Sequence, residues 1–162
     1  MLHKARTFAL DAHGDQMYGK KPYIYHLDKV ANLLVDFGEE AQIIGYLHDV
    51  LEDTNTSYAE IEKIFGSLVA DCVSLLTDEL GESRAKRKAK TCAKLALVEG
   101  SHNLALIAKT ADRLANVDEC VTQNNYELLS MYRQEHLKFK EAVFRPNLCN
   151  ELWKLLDSLI EV

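Results

Sequence analysis

Two pairs of ionisable residues stand one helical turn apart in the segment LHDVLEDT, which spans positions 47–54. The first pair is His48 and Asp49, and the second is Glu52 and Asp53. Residues four positions apart share one face of a helix, so the four side chains are expected to point nearly the same way. Buried carboxylates need cations, hydrogen-bond donors or a metal ion. An exposed polar helix face is the competing interpretation, but Ile43 and Ile44 before the segment and Val50 and Leu51 within it leave little room for solvent, and we favour a metal site.

Two other segments supply residues of matching chemistry. PYIYH places His26 near the start of a helix, and KTADRLAN places Asp112 and Asn116 one turn apart. Taken singly, His26 is more often structural and Asp112 is more often a salt-bridge partner. Together with His48 and Asp49 they offer nitrogen and oxygen ligands without a thiolate, a set that suits Mn²⁺ or Fe²⁺. Such an ion polarises a phosphoryl group and makes water more acidic.

The overall composition limits the class of protein. A chain of 162 residues indicates one domain over 1–162, and a net charge of −6 argues against nucleic-acid binding. The four cysteines form no CxxC pair, no apolar run approaches the length of a membrane span, and charges interrupt the N-terminal segment. We therefore expect a cytoplasmic protein that is not embedded in a membrane.

One segment carries the opposite charge. Positions 82–94 hold one acid and six cations: Arg84, Lys86, Arg87, Lys88, Lys90 and Lys94. A solvated helix face explains such a run in most proteins. A phosphate-binding edge on an acidic protein is the functional alternative, and both interpretations remain open at this point.

Helical periodicity runs through nearly the whole chain and predicts an all-α bundle of about eight to nine helices. Pro22 is expected to open the second helix, and one continuous third helix is expected to carry residues 41–51. Ser57 and Glu60 predict a capping box. The basic segment is expected to form a helix ending near Gly100. The remaining expectations are N-caps at Asn125 and Asn147, and a core or homodimer contact at Trp153, Leu155 and Leu156.

The three motifs PYIYH, HDVLEDT and KTADRLAN occur in an order that resembles HD-domain phosphohydrolases. The resemblance is strongest to the alarmone hydrolase domain of the Rel/SpoT type and to stand-alone small alarmone hydrolases. It covers about the first 120 residues, and AHGDQ at 12–16 also falls where that family has a related segment. The family removes pyrophosphate from the 3′ position of guanosine tetra- or pentaphosphate.

The resemblance assigns a role to each matching residue. It makes His26, His48, Asp49 and Asp112 the ligands of one divalent ion, usually Mn²⁺. It implies that Glu52 and Asp53 orient and deprotonate the attacking water. Asn116 matches a residue that contacts the nucleotide.

The chain departs from the family pattern where the family has a basic pair and this chain has Met17 and Tyr18. Thr110 also replaces a usual leucine. These departures keep two alternatives open: a phosphatase acting on a 5′-mononucleotide or on the 2′-phosphate of NADPH, and a non-catalytic nucleotide sensor. Arg113 is expected either to contact the substrate or to form a structural ion pair with a carboxylate. The candidate substrate-binding cations are Lys20, Lys21, Arg87, Lys88, Lys109 and Arg133.

Overall fold

The computed structural model describes residues 1–161 and confirms the all-α prediction. Within that range there are nine α-helices of eight or more residues, one single-turn helix and a two-stranded hairpin. The helices are α1 (Leu2–His13), α2 (Ile24–Leu33), α3 (Glu39–Leu47), α4 (Val50–Asp53), α5 (Tyr58–Phe65), α6 (Ser67–Leu76), α7 (Arg84–Leu95), α8 (Asn103–Thr122), α9 (Tyr126–Val143) and α10 (Asn150–Ile160). The strands are β1 (Met17–Tyr18) and β2 (Lys21–Pro22), and single 3₁₀ turns occupy Val35–Phe37 and Gly100–His102.

Helix α8 is the central element of the bundle. It packs against α2, α3, α6, α9 and α10, and most of its side chains are buried. Small residues such as Ala105, Ala108 and Ala111 are fully buried along it, which lets neighbouring helices approach closely. Trp153 and Leu156 of α10 belong to this core, whereas Leu155 is exposed. No helix in the described part is long and apolar enough to cross a membrane.

The hairpin corrects the predicted start of the second helix. Pro22 lies in β2 opposite Met17, and α2 begins two residues later at Ile24. The amide of Tyr23 donates to the carbonyl of Gln16 at 3.0 Å, which extends the pairing past the proline and delays the helix. The hairpin thereby places Tyr18 beside the N-terminal end of α2.

The predicted third helix is interrupted at His48 and Asp49, so the expectation of one continuous helix is wrong. Helix α3 ends at Leu47, and α4 resumes for one turn from Val50. The Nδ1 atom of His48 donates to the carbonyl of Gly45 at 2.7 Å, a group that a continuous helix would offer to the amide of Asp49. The side chain therefore competes with the helical hydrogen bonds at this turn.

Two further predicted boundaries are wrong, whereas two caps are as expected. Helix α7 ends at Leu95, five residues before Gly100. Asn147 adopts a left-handed conformation with φ 64°, and the side chain of Asn150 accepts from its amide, so Asn147 does not cap α10. The capping box of Ser57 and Glu60 and the Asn125 cap of α9 are both present.

Candidate metal centre

Three potential metal ligands from α2 and the α3–α4 turn converge in the interior. One ligand atom each from His26, His48 and Asp49 can be chosen so that all lie within 4.8 Å of one another. The His26 side chain is 2% exposed and that of His48 is 1% exposed. The break between α3 and α4 lets His48 and Asp49 both reach this point.

Asp112 adds a fourth group from the middle of α8. Its Oδ1 atom lies 3.2 Å from Nε2 of His26 and 3.4 Å from Nε2 of His48. The four residues expected to form the metal site therefore lie together, although 86 positions separate the first from the last in the sequence. They bring two imidazole nitrogens and two carboxylates to one place.

The hydrogen bonding of His48 engages one ring nitrogen and leaves the other facing the two carboxylates. Because the Gly45 carbonyl can only accept, Nδ1 carries the proton in that bond, and Nε2 offers a lone pair to a ligand whenever the ring is neutral. Nε2 is buried and has no hydrogen-bond partner among residues 1–161, although Oδ2 of Asp49 lies only 2.9 Å away. A buried nitrogen that meets two carboxylates without hydrogen-bond geometry fits a divalent cation between them.

The electrostatics of the cluster lead to the same conclusion. Burial lowers the pKa of the His48 imidazole, but the carboxylates of Asp49 and Asp112 outweigh it and hold the pKa well above its ordinary value. Burial raises the pKa of Asp49, but His48 outweighs it and brings the pKa to about 2. The pKa of Asp112 is likewise lowered by His48 against its burial. The pocket thus stabilises positive charge.

Groups from other parts of the chain hold the carboxylates, and sequence reasoning found only part of this arrangement. The hydroxyl of Tyr23 donates to Oδ2 of Asp49 at 2.5 Å. Gln16 donates to Oδ2 of Asp53 at 2.9 Å, and Gln16 in turn contacts Nδ1 of His13 at 2.7 Å. His13 and Gln16 lie in the motif AHGDQ and Tyr23 lies in PYIYH, but Gln16 and Tyr23 contact carboxylates far away in the chain.

Glu52 and Asp53, the expected water activators, lie on α4 beside the ligand set. The backbone amide of Asp78 donates to Oε1 of Glu52 at 2.7 Å. Burial, aided by the charges of Asp78 and Asp49, raises the pKa of the Glu52 carboxyl. A carboxylate with a raised pKa is a better proton acceptor from water. Sequence reasoning missed Asp78, for which no motif gave a signal.

Two cavities each have a lining residue that contacts Asp112. One, of about 550 Å³, lies between α7, α8 and α9 and is lined by Lys88 and Lys109 among others. The other, of about 430 Å³, is lined by Lys20, Lys21 and Asn116 among others. Lys109 Nζ lies 3.6 Å from Oδ2 of Asp112, and Asn116 Nδ2 donates to Oδ1 at 2.8 Å. None of the four proposed ligands lines either cavity, so Lys109 and Asn116 are the residues that connect the cavities to the cluster.

Most of the basic segment is engaged in internal contacts. Lys88 pairs with Asp78, Arg84 with Glu135, Lys94 with Glu79 and Lys86 with Glu82, while Lys90 donates to the carbonyl of Leu80. Arg87 is the one member of the six whose side chain has no ion pair or hydrogen bond within the described residues. The positive charge of this segment is therefore largely compensated within the protein.

Other predicted substrate-binding residues are also engaged. Lys21 stacks over the Tyr25 ring at 3.7 Å and lies 3.6 Å from Glu119. Arg133 donates to the carbonyl of Ile160 at 2.8 Å, which ties α9 to α10. Arg113 pairs with Glu135 at 2.9 Å and stacks on Tyr132, the structural alternative considered for it.

Comparison with known proteins identifies related sequences. The family described as HD domain matches residues 5–134. A guanosine-3′,5′-bis(diphosphate) 3′-pyrophosphohydrolase of Aquifex aeolicus is 38% identical over 120 residues, which cover 72% of this chain and 17% of that protein. A probable enzyme of the same name from Synechocystis sp. is 36% identical over 171 residues, covering 97% of this chain and 21% of its own. The chain thus spans about a fifth of the length of these curated relatives.

Two solved structures share the fold. One, described as a metazoan ortholog of SpoT that hydrolyzes ppGpp, superposes with a TM-score of 0.75 at 22% identity and covers 97% of this chain and 94% of its own. The other, lmo0812 from Listeria monocytogenes EGD-e, has a TM-score of 0.67 at 26% identity and covers 91% of this chain and all of its own. The helical arrangement is therefore that of a known bundle.

Proposed function

We propose, since this chain belongs to the HD domain family, that it is a metal-dependent phosphohydrolase that removes the 3′-pyrophosphate of guanosine 3′,5′-bis(diphosphate) or a closely similar alarmone. The observation that carries the proposal is the buried cluster of His26, His48, Asp49 and Asp112, in which Nε2 of His48 has no hydrogen bond within residues 1–161. The activity named for the Aquifex and Synechocystis relatives supports the choice of substrate.

The four clustered residues would hold one divalent ion, for which we propose Mn²⁺ because the ligands are nitrogen and oxygen atoms. When bound, such an ion acts as a Lewis acid that polarises a phosphoryl oxygen and makes water more acidic. The protein contributes the arrangement: Nδ1–H of His48 is held by Gly45, and Asp49 is held by the hydroxyl of Tyr23. These contacts fix the ligands before the ion arrives.

Glu52 and Asp53 are proposed to orient the attacking water and accept its proton. Each has one oxygen held by another element: Asp78 donates to Oε1 of Glu52, and Gln16 donates to Oδ2 of Asp53. The second oxygen of each carboxylate is then available to water. Cleavage of the bond between phosphorus and the 3′ oxygen transfers the pyrophosphoryl group to water, and the 3′ oxygen takes up a proton to become a hydroxyl.

Substrate phosphates need cations close to the metal centre. Lys109 is the best placed, because it lines the larger cavity and lies 3.6 Å from Asp112. Asn116 is proposed to contact the nucleotide from the other cavity. Supporting charge is proposed to come from cations that lie farther out or form internal pairs: Lys20, Lys21, Arg87, Lys88 and Arg133.

We also propose that residues 1–162 form a single domain located in the cytoplasm. Its partner is a small-molecule nucleotide and not a nucleic acid, in keeping with the net charge of −6. Exposed Leu155 is a candidate contact for a homodimer.

A product assay across a nucleotide panel tests the proposal. Purified protein with Mn²⁺ is given guanosine tetraphosphate, 5′-mononucleotides and NADPH, and released pyrophosphate and orthophosphate are quantified separately. We expect pyrophosphate and GDP from guanosine tetraphosphate, and loss of turnover in Asp112→Asn. Orthophosphate from a mononucleotide or NADPH would identify a phosphatase instead, and binding without any turnover would identify a sensor.

A further inference from the structure

Tyr18 occupies the position where the resembling family has a basic pair, and it contacts the candidate metal centre directly. It lies on β1, and its ring stacks on the ring of His26 with centroids 4.7 Å apart and an angle of 15° between the planes. The His26 side chain is only 2% exposed, so the tyrosine covers one face of a proposed ligand. This contact restricts the rotation of the imidazole.

The hydroxyl of Tyr18 makes a second connection. It donates to Oδ1 of Asn116 at 2.8 Å, and Nδ2 of Asn116 donates to Oδ1 of Asp112 at 2.8 Å. The direction of this chain is determined chemically, since the Asp112 carboxylate can only accept and must face the amide nitrogen. The amide oxygen of Asn116 then faces Tyr18, whose hydroxyl is the donor.

We propose that Tyr18 is a positioning residue of the metal centre, holding His26 through its ring and Asp112 through Asn116. The inference rests on the proposed metal site and adds a residue that the family resemblance does not assign. Outer contacts of this kind typically change metal affinity by about 10–100-fold.

The test measures Mn²⁺ affinity and does not depend on turnover. Isothermal titration calorimetry compares wild-type protein with Tyr18→Phe, which removes only the hydroxyl, and Tyr18→Leu, which also removes the stacked ring. We expect the dissociation constant to rise about 10-fold in the first variant and up to about 100-fold in the second. Tyr25→Phe is the matched control, because Tyr25 also donates to a carboxylate, that of Glu119, but contacts no proposed ligand. Its dissociation constant should stay within about twofold of the wild-type value.

A double-mutant cycle tests the route through Asn116. If the hydroxyl acts through this amide, Tyr18→Phe should have little further effect on Mn²⁺ affinity in an Asn116→Ala background. Unfolding curves of the metal-free variants establish that each is folded. If Tyr18→Leu is not folded, the Mn²⁺ affinity of Tyr18→Phe alone decides the inference.

The possible outcomes separate the two proposals. Wild-type affinity in Tyr18→Phe would overturn this inference and leave the metal centre intact. Additive effects in the cycle would overturn the route through Asn116. Wild-type protein that binds no Mn²⁺ would overturn the metal centre and this inference together.

Discussion

Lys88 is predicted to stabilise the fold through Asp78, so replacing it with alanine should lower the free energy of unfolding. Their ion pair has an N–O distance of 2.5 Å, and the side chains are 23% and 13% exposed. Removal of Lys88 leaves the Asp78 carboxylate without its cation, and Oδ1 already has no hydrogen-bond partner among residues 1–161. The nearby Lys109 compensates only part of this charge.

The size of the effect follows from the geometry. At 2.5 Å and an effective dielectric constant of about 20, the attraction between the charges is about 7 kcal/mol before desolvation is subtracted. Exposed pairs retain about 0–1 kcal/mol after that subtraction, whereas breaking a fully buried pair costs about 3–5 kcal/mol. The Lys88–Asp78 pair lies between these limits, and we expect Lys88→Ala to lose about 2 kcal/mol.

Urea unfolding at neutral pH, with chelator present, measures this loss. Lys86→Ala is the matched control on the same helix, because Lys86 pairs with the exposed Glu82 and should cost about 0.5 kcal/mol or less.

The pH dependence gives a second test. Burial raises the pKa of Asp78, but Lys88 outweighs it and holds the pKa below its ordinary value. The stabilisation from the pair is therefore present above the unfolded pKa of about 3.9 and is lost as the pH falls through the lower folded pKa. Equal losses in Lys88→Ala and Lys86→Ala at neutral pH, or a loss from Lys88→Ala that persists in strong acid, would refute the reasoning.

Three other predictions concern turnover, substrate affinity and stability. Glu52→Gln combined with Asp53→Asn should keep the fold and bound Mn²⁺ while lowering kcat by about 10²–10⁴-fold, and full activity would contradict their role. Arg87→Ala should raise the KM for guanosine tetraphosphate at low salt and less so at high salt, because screening weakens exposed contacts; an unchanged KM at low salt would assign Arg87 to the solvated surface. Glu135→Gln should destabilise the protein most near neutral pH. Burial raises the pKa of Glu135, but Arg84 and Arg113 outweigh the burial and lower the pKa. The stabilisation by the Glu135 charge is therefore present above about pH 4.5 and is lost in acid. Urea unfolding at several pH values measures the last effect, and a penalty independent of pH would contradict it.

The clustering of the proposed ligand residues could be predicted from sequence because their chemistry is concentrated in short motifs. His48 and Asp49 are adjacent, and Asp112 is one turn from Asn116, so residue type and spacing carried the signal. The helical bundle was equally accessible from apolar periodicity and from local caps such as Ser57.

The outer contacts could not be predicted, because each depends on tertiary structure. Tyr18 reaches Asn116 across 98 positions, and Asp78 reaches Glu52 across 26. The break between α3 and α4 also escaped prediction, since it depends on the His48 ring taking the Gly45 carbonyl. The basic segment was judged by its charge alone, whereas three of its four carboxylate partners lie outside it, as Glu135 does for Arg84.

Metal stoichiometry tests the central claim most directly. Wild-type protein, Asp112→Asn and Glu52→Gln are loaded with Mn²⁺, desalted and analysed by mass spectrometry for metal per chain, with circular dichroism to establish folding. We predict about one ion per chain in wild type and Glu52→Gln, and strongly reduced metal in Asp112→Asn. Folded wild-type protein that retains no ion, or Asp112→Asn that retains as much as wild type, would contradict the assignment of His26, His48, Asp49 and Asp112 as the metal ligands.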